Sequence, residues 1–358
     1  MFLLTNRTNS PIILYNDIFR SEVFFMQKKI ISVLLAILMI VAIAPVSAFA
    51  EDDILDYLEY EIVDGEVTIT GCDKSISGDV VIPDTIEGYP VTCILQIVFL
   101  ECDNITSITI PDSVTSMFEG VFSGCDNLRT VNLGKGLSRI EQFSFWDCKN
   151  LESIVIPDSV TEIGLSAFDK CVRLETVKIG KGLAFLDDNV FYSCASLKKF
   201  IVDEENSNFS SDEYGVLFNK DKTVLISYPR GNVSENYIIP EGVELVEYYA
   251  FDNCSFLKSV ELPASTTRLY YAFEGTPLEK ITFNNKNCII DFDENSIPST
   301  AVIYGYSGSI AESYAKVYDR QFVTIDDDLL SAFVRFFESF AYLFNKIIVW
   351  FKSIFGMA

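Results

Sequence analysis

Cysteine is the residue type whose spacing points most directly to chemistry in this chain. Five of the nine cysteines recur every 23 residues: Cys102, Cys125, Cys148, Cys171 and Cys194. Nine cysteines in a secreted chain ordinarily indicate disulfides. Equivalent residues of stacked units would lie within disulfide range, but their Cβ vectors would be parallel. We therefore expect these five to be free, buried thiols, whereas the redox state of Cys72, Cys93 and Cys288 stays open.

Histidine is absent from the chain, which limits the catalysis that the other residues can perform. Ser-His and Cys-His nucleophile pairs and histidine-dependent zinc sites are excluded. No Cys-x-x-Cys pair occurs, and Gly134-Lys135-Gly136 lacks the frame of a phosphate-binding loop. Carboxylate pairs could serve a glycosidase, but among 51 acidic residues no particular pair is informative. We predict no enzyme activity, no cofactor and no metal site.

The chain is strongly acidic, with 27 basic and 51 acidic residues and a formal net charge of −24. Binding to nucleic acid needs clustered Lys and Arg that displace counterions from the phosphates. The acidic excess therefore argues against a nucleic-acid partner and favours solubility outside the cell.

The cysteine spacing belongs to a longer repeat. A phenylalanine three residues earlier keeps the same step, at Phe99, Phe122, Phe145, Phe168 and Phe191. Within each unit, apolar residues such as Leu151, Ile154 and Ile156 end in the period-two spacing of a short strand, which a Pro or Gly then terminates. A period of this length predicts stacked copies of one unit, each burying its apolar face against its neighbours. We therefore predict a β-rich repeat solenoid.

Successive units alternate between two sequences. Ile-Pro-Asp-Ser-Val occurs at 110–114 and 156–160, and Gly-Lys-Gly-Leu occurs at 134–137 and 180–183. The central charged residues should line one edge with alternating sign: Asp112, Lys135, Asp158 and Lys181. A partner could read this stripe, but a solvated and weakly favourable charge ladder is the favoured interpretation.

The 23-residue step stops after Cys194, and the next matching Phe-Cys pair is Phe251 and Cys254. Two apolar runs between 215 and 229, on either side of a polar turn, predict a β-hairpin that stands out of the solenoid. Insertions in repeat arrays often carry binding. A decorated coil without a role is an equally good interpretation.

The two ends of the repeat array have sequences of their own. The strand-rich segment 57–90, with a turn at Asp64-Gly65, suits an N-terminal cap. A short helix predicted at 310–318 and a strand at 322–325 suit a C-terminal cap.

Residues 26–50 have the features of a secretory signal. Lys28 and Lys29 give it a positive start, an apolar core follows, and Ala48-Phe49-Ala50 gives a small-x-small cleavage site. We expect residues 1–25 to be a mis-assigned upstream extension, with translation beginning at Met26. A membrane anchor is the alternative, and the cleavage site argues against it.

Residues 326–358 belong to neither repeat nor cap. Between 329 and 355, polar residues recur close to every 3.5 positions among Phe, Ile, Leu and Val, which predicts an amphipathic, aromatic-rich helix. Charges along it argue against burial in hydrocarbon: Arg335, Glu338, Lys346 and Lys352. We expect it to lie on a membrane surface or to pair with another helix; packing back onto the solenoid is the alternative.

The repeat unit resembles the BspA-like, Treponema-type leucine-rich repeat. The resemblance rests on Ala-Phe-Asp-Lys-Cys at 167–171 and on Ile-Val-Ile-Pro-Asp-Ser-Val-Thr-Glu-Ile-Gly at 154–164, and it covers about residues 60–325. It implies a right-handed leucine-rich-repeat superhelix with short parallel strands, in a secreted or cell-surface protein whose relatives act in adhesion and protein binding. It implies no catalytic residues. One departure is Gly275-Thr276, which stands where a cysteine would fall.

These patterns divide the chain into six segments. They are an upstream extension (1–25), the signal peptide (26–50), an N-terminal cap with a first irregular repeat (51–98), leucine-rich repeats (99–302) with the hairpin insertion at about 205–238, a C-terminal cap (303–325) and the amphipathic helix (326–358).

Outward-facing residues of the first strand in each coil give the predicted binding face. They are Arg129, Asn132, Glu152, Val155, Glu175, Lys178, Lys198, Lys199, Lys258 and Glu261. The strip is polar and mixed in sign, which suits a protein or glycan partner, although a merely solvated face is the alternative at any one residue. The sequence therefore predicts a non-catalytic, secreted or cell-surface adhesion or interaction protein. The alternative is an envelope-associated scaffold that the C-terminal helix anchors to a membrane or to partner helices.

Overall fold

Residues 54–325 are described by the computed structural model, and they form a parallel-strand β-solenoid of about 11 turns. The repeat solenoid predicted from the 23-residue step is confirmed. The predicted upstream extension, the signal peptide and the helix at 326–358 lie outside the described residues. Within the described range, no helix has both the length and the hydropathy needed to cross a bilayer.

Before the insertion, one strand of each coil joins the first long sheet, in which all neighbours are parallel. Its strands are β3 (Gly78–Val81), β6 (Ile105–Thr109), β8 (Thr130–Asn132), β10 (Ser153–Ile156), β12 (Thr176–Ile179) and β14 (Lys199–Val202). From β6 to β14, neighbouring strands pair at the 23-residue step, as Ile154 does with Val177. Apolar residues at alternate positions are buried, and the residues between them face solvent.

The N-terminal cap is a sheet of its own. Strands β1 (Leu58–Val63) and β2 (Glu66–Cys72) pair antiparallel around Asp64-Gly65, both of which have positive φ, as a tight hairpin turn requires. Three further strands complete the sheet: β4 (Thr85–Ile86), β5 (Tyr89–Ile94) and β7 (Ser116–Met117).

Short strands on a second side of the coils form two further sheets. The first contains β9 (Arg139–Ile140), β11 (Glu162–Ile163) and β13 (Phe185–Leu186). The other contains β15 (Phe209–Ser211), β16 (Leu217–Asn219), β17 (Val224–Ser227), β19 (Leu245–Val246), β21 (Arg268–Leu269) and β23 (Ile289–Ile290).

The last coils build a separate parallel sheet and a cap. The sheet contains β18 (Asn236–Ile238), β20 (Ser259–Leu262), β22 (Lys280–Phe283), β24 (Val302–Gly305) and β25 (Phe322–Thr324). The predicted short helix is α1 (Ile310–Val317), and its N-cap Ser309 accepts a hydrogen bond from the Glu312 N–H. Its buried residues Ala311, Tyr314 and Ala315 pack against the last coils.

Stacked phenylalanine rings hold the regular coils together. The five rings from Phe99 to Phe191 follow one another with centroids 5.0, 5.4, 5.1 and 5.5 Å apart and planes within 11° of parallel. The buried apolar residues form two clusters, one from Ile54 to Leu217 and one from Val216 to Ala315. The core is therefore divided at the insertion.

The insertion does not stand out of the solenoid as the sequence predicted. Strands β16 and β17 do form an antiparallel hairpin, but Leu217, Phe218 and Leu225 on it are almost fully buried. The outer strand β17 pairs in parallel with β19 of the next coil, so that the hairpin continues the stack. Alternating apolar residues do not reveal whether a hairpin projects, because that depends on the neighbour with which its outer strand pairs.

Candidate functional site

The first long sheet exposes eight of the ten predicted binding residues, and we call these eight the strand face. They are Arg129, Asn132, Glu152, Val155, Glu175, Lys178, Lys198 and Lys199, all exposed. They lie on or immediately before β8, β10, β12 and β14, whose inward residues are core. The parallel register therefore turns single exposed residues into columns that run along the solenoid.

One column lies just before the strands and is held by the backbone. The N–H groups of Glu152, Glu175 and Lys198 each donate to the carbonyl 23 residues earlier, at 3.2, 2.8 and 2.9 Å. Glu175 pairs with Lys198 at 2.7 Å, and Arg129 approaches Glu152 at 3.9 Å. These ion pairs are exposed and contribute little to stability, so their charges can be redirected to a partner at small cost.

The central column is partly apolar. Val155 pairs in register with Lys178, and Lys178 with Ile201. Val155 is 54% exposed and Ile201 is 39% exposed. In this column two exposed aliphatic side chains therefore flank the charged Lys178, beside the column of paired charges.

Lys258 and Glu261 do not share the strand face. They lie on or before β20, in the sheet beyond the insertion, and both are only half-buried rather than fully exposed. Lys258 pairs with Glu235 at 3.1 Å, a hydrogen bond that raises the pKa of Lys258, and Glu261 accepts from Asn284 at 2.7 Å. The prediction of a single strip is wrong for these two residues, because the insertion separates the two sheets.

The predicted charge stripe has a structural explanation. The Asp112 carboxylate accepts the Lys135 backbone N–H at 2.8 Å, and Asp158 accepts that of Lys181 at 3.1 Å. A Cβ on Gly182 would lie 2.0 Å from the Asp158 carbonyl oxygen. The Gly-Lys-Gly coils therefore need glycine for close approach to the Pro-Asp-Ser coils, and the aspartates hold the coils in register.

The five regular cysteines are buried thiols, and the structure gives them a role that sequence reasoning missed. The thiols of Cys125, Cys148, Cys171 and Cys194 donate to the carbonyl of the phenylalanine 26 residues earlier, at 3.1 to 3.2 Å. In the last coil the Thr276 hydroxyl donates to Phe251 in the same way. At Gly275-Thr276, where the repeat would have a cysteine, a hydrogen-bond donor is therefore still present.

Burial makes the thiols of Cys125, Cys148, Cys171 and Cys194 poor nucleophiles. It raises the pKa of Cys171 well above its ordinary value and that of Cys194 to about 12. The thiol of Cys72 donates to the Asp73 carbonyl at 3.5 Å. Interaction between the neighbouring thiols of Cys72 and Cys102 raises the pKa of Cys72 and lowers that of Cys102. Cys72, Cys93 and Cys288 are also free thiols in this structure.

Within residues 54–325, no group of three or more Cys, Asp or Glu side chains is arranged to hold a metal ion. Sequence reasoning overlooked exposed aliphatic residues on the two parallel sheets, namely Val81, Ile201 and Ile238. The period-two spacing that selected Val155 could have found them, since each lies at an outward position of its strand.

Comparison with known proteins identifies the repeat. Residues 92–215 and 231–297 match six copies of the "BspA type Leucine rich repeat region". No curated protein sequence matches the chain. Among solved structures, it is similar to a leucine-rich repeat protein from Eubacterium ventriosum, with 20% identity, 72% of this chain and 78% of that chain covered and a TM-score of 0.49.

Two further structures show the same type of similarity. The pneumococcal vaccine antigen PcpA is 21% identical, with 76% of this chain and 98% of that chain covered and a TM-score of 0.45. A leucine-rich cell surface protein from Faecalibacterium prausnitzii is 18% identical, with 79% and 96% covered and a TM-score of 0.41.

Proposed function

Because this chain belongs to the BspA-type leucine-rich repeat family, we propose that it is a non-catalytic, secreted or cell-surface protein that binds a protein or glycan partner through its strand face. The observation that carries the proposal is the in-register exposure of Val155, Lys178 and Ile201 between columns of charge. Repeat proteins are suited to binding a partner, because their stacked repeats form an extended, rigid surface. The acidic net charge argues against nucleic acid as that partner.

Secretion rests on the sequence of residues 26–50, with its positive start, apolar core and small-x-small site. Mass spectrometry of the protein from the culture medium or the cell surface tests it. A mature N-terminus at Glu51 is expected, and an uncleaved segment would favour a membrane anchor.

The binding test is capture of matrix proteins and mucins on the immobilised chain from Glu51 onward. Charge reversal of Glu175→Lys together with Lys178→Glu should weaken capture at least about tenfold, because rim charges steer and orient a partner. The matched control is Glu119→Lys with Lys135→Glu, two exposed charges outside the strand face. Unchanged capture by the first variant, with folding intact in both, would refute the strand face as the site.

A second candidate is an envelope-associated scaffold whose tail does the anchoring. It rests on the amphipathic pattern at 329–355. Deletion of 326–358 separates the two: loss of envelope association with capture intact would assign the tail as an anchor, and unchanged association would exclude it.

A further inference from the structure

The coil that precedes the insertion has an open edge. In the coil before it, the N–H groups of Ser166, Phe168 and Lys170 donate to the next coil's carbonyls at 3.1, 2.9 and 3.0 Å. The equivalent donors 23 residues later are Asn189, Phe191 and Ser193. Their N–H groups have no hydrogen-bond acceptor among residues 54–325. The row is a corner of the coil, with positive φ at Asn189 and Ser193, and not a strand. Its unpaired backbone donors can nevertheless pair with another chain, as those of a sheet edge do.

The insertion explains why the edge is open. Tyr228 takes the place of the next stacked phenylalanine, since its ring lies 5.3 Å from Phe251 and its N–H donates to the Ala250 carbonyl at 2.7 Å. The ring of Phe191 instead meets Phe200 edge-on, at 69°. The coil that carries Tyr228 is therefore in register with the coil after it and leaves the donors before it uncovered.

A cleft of about 580 Å³ lies at this open edge, between Asn189 and Phe191 on one side and the insertion on the other. Aromatic side chains line it, among them Phe185, Tyr192, Tyr228, Tyr248 and Tyr249. Phe185 is 52% exposed and Tyr248 is 51% exposed. The cleft thus presents apolar walls to solvent next to unpaired backbone donors.

The charge of the cleft is acidic. Asp187, Asp188 and Glu247 line it, and none of them forms an ion pair with a described Lys or Arg. Among the described residues that line the cleft, Arg230 alone is basic. It stacks on Tyr192 at 4.5 Å and pairs with the buried Asp252. Three carboxylates therefore remain without a counter-charge.

We propose that this cleft binds an extended, basic peptide segment of a partner protein. Backbone carbonyls at alternate positions of the peptide accept hydrogen bonds from the Asn189 and Phe191 N–H groups, which adds a chain to the open coil edge. Its Lys or Arg side chains pair with Asp187, Asp188 and Glu247 and pack on the tyrosines. A neutral glycan would use the aromatic walls but would gain nothing from the carboxylate charge.

The lining of the cleft contains no residue of the strand face, so the two binding proposals can fail separately. The probe is a synthetic peptide of alternating Lys and Val, compared with its Glu-Val counterpart, on the chain from Glu51 onward. In the free protein, the amides of Asn189, Phe191 and Ser193 should exchange fast, and those of Ser166, Phe168 and Lys170 should exchange slowly. Saturating Lys-Val peptide should slow exchange at Asn189 and Phe191 at least about tenfold. Binding without that protection would overturn the proposal.

Matched variants separate the cleft from the general acidity of the chain. Asp187→Asn, Asp188→Asn and Glu247→Gln together should weaken the peptide at least about tenfold. Glu61→Gln, Glu119→Gln and Glu204→Gln remove the same charge from exposed positions elsewhere and should weaken it less than about twofold. Equal losses of peptide affinity in both variants would overturn the proposal. So would a neutral chitin hexasaccharide that protects the amides of Asn189 and Phe191 without displacing the peptide.

Discussion

The regular coils from 99 to 194 and the irregular segment from 203 to 249 pack against their neighbouring coils in different ways. In the regular coils each Phe stacks on its equivalent, and as far as Lys170 the corner N–H groups donate to carbonyls of the next coil. In the irregular segment, Tyr228 replaces the Phe and the donors of the preceding coil stay open. The corner donors are therefore paired where the next coil stacks directly on them, and they are open where the longer coil intervenes.

The difference shows what a break in period does to a repeat array. Since each coil contacts only its neighbours, one longer coil is enough to divide the core into two clusters. The irregular segment compensates with specific polar contacts, such as the Arg230–Asp252 pair that joins it to the next coil. The regular region thus depends on repeated apolar burial, and the irregular region on individual pairs.

The largest expected effect is on the phenylalanine stack. Phe145→Ala should lower the free energy of unfolding by about 4 kcal/mol, because a fully buried ring is lost between two stacked neighbours. Urea unfolding followed by far-UV circular dichroism measures it. Phe185→Ala, at the exposed edge of the cleft, is the matched control and should cost less than about 1 kcal/mol. Similar losses for both would show that the stack is not what holds the coils.

The next effect tests the polar contact of the irregular segment. Arg230→Met should cost about 3 kcal/mol at pH 7, because it leaves the Asp252 carboxylate buried and unpaired. Adding Asp252→Asn should restore most of that stability. A double variant as unstable as the single variant would mean that Arg230 acts through packing on Tyr192 rather than through charge.

The Arg230→Met loss should also depend on pH. Burial already raises the pKa of Asp252, and Arg230 opposes that rise. Without Arg230 the folded-state pKa rises further above the unfolded value of about 3.9, so the folded state binds the proton more tightly. The penalty is therefore full above the folded pKa and shrinks as pH falls through it. Unfolding at pH 7 and pH 5 should show a smaller loss at pH 5; a loss independent of pH would contradict this account.

A smaller effect tests why the coils alternate in sequence. Gly182→Ala should cost about 2 kcal/mol, because the new Cβ would lie 2.0 Å from the Asp158 carbonyl and force the coils apart. Gly71→Ala is the control, since the nearest atoms there belong to the flexible Glu59 side chain. Thermal unfolding of both variants decides; a neutral Gly182→Ala would mean that the coil spacing is not fixed at this edge.

Much of the regular region could be predicted from the sequence, because its period alone determines which residues are equivalent. The 23-residue step placed Cys171 in the core, and period-two spacing placed Lys178 and Val155 outside. The corners were harder to foresee. Residues as different as Phe143, Ser166 and Asn189 have φ between 52° and 58° at equivalent corners, so residue type carries no signal there.

The irregular segment could be predicted only in part, for a physical reason. The antiparallel pairing of β16 and β17 is local and left a pattern in the sequence. The pairing of β17 with β19 is a tertiary contact, and the open edge at Phe191 is defined by a partner that is missing from the next coil. Nothing in the sequence near residues 189–193 marks that edge, because these residues repeat the pattern of coils whose donors are paired.

The smallest expected effect concerns the hydrogen bonds that the buried thiols donate, and the test is which of two variants is the more stable. At Cys171, Ser keeps a donor for the Phe145 carbonyl and Ala removes it. If that hydrogen bond matters, Cys171→Ser should be more stable than Cys171→Ala by about 1 kcal/mol. If it does not, the order reverses, because a buried hydroxyl without a partner is costly. The same pair at the half-buried Cys93, whose thiol donates to no carbonyl among residues 54–325, is the control, and urea unfolding should show little difference there. Thr276, which donates to Phe251 from the equivalent place in the last coil, favours the first order.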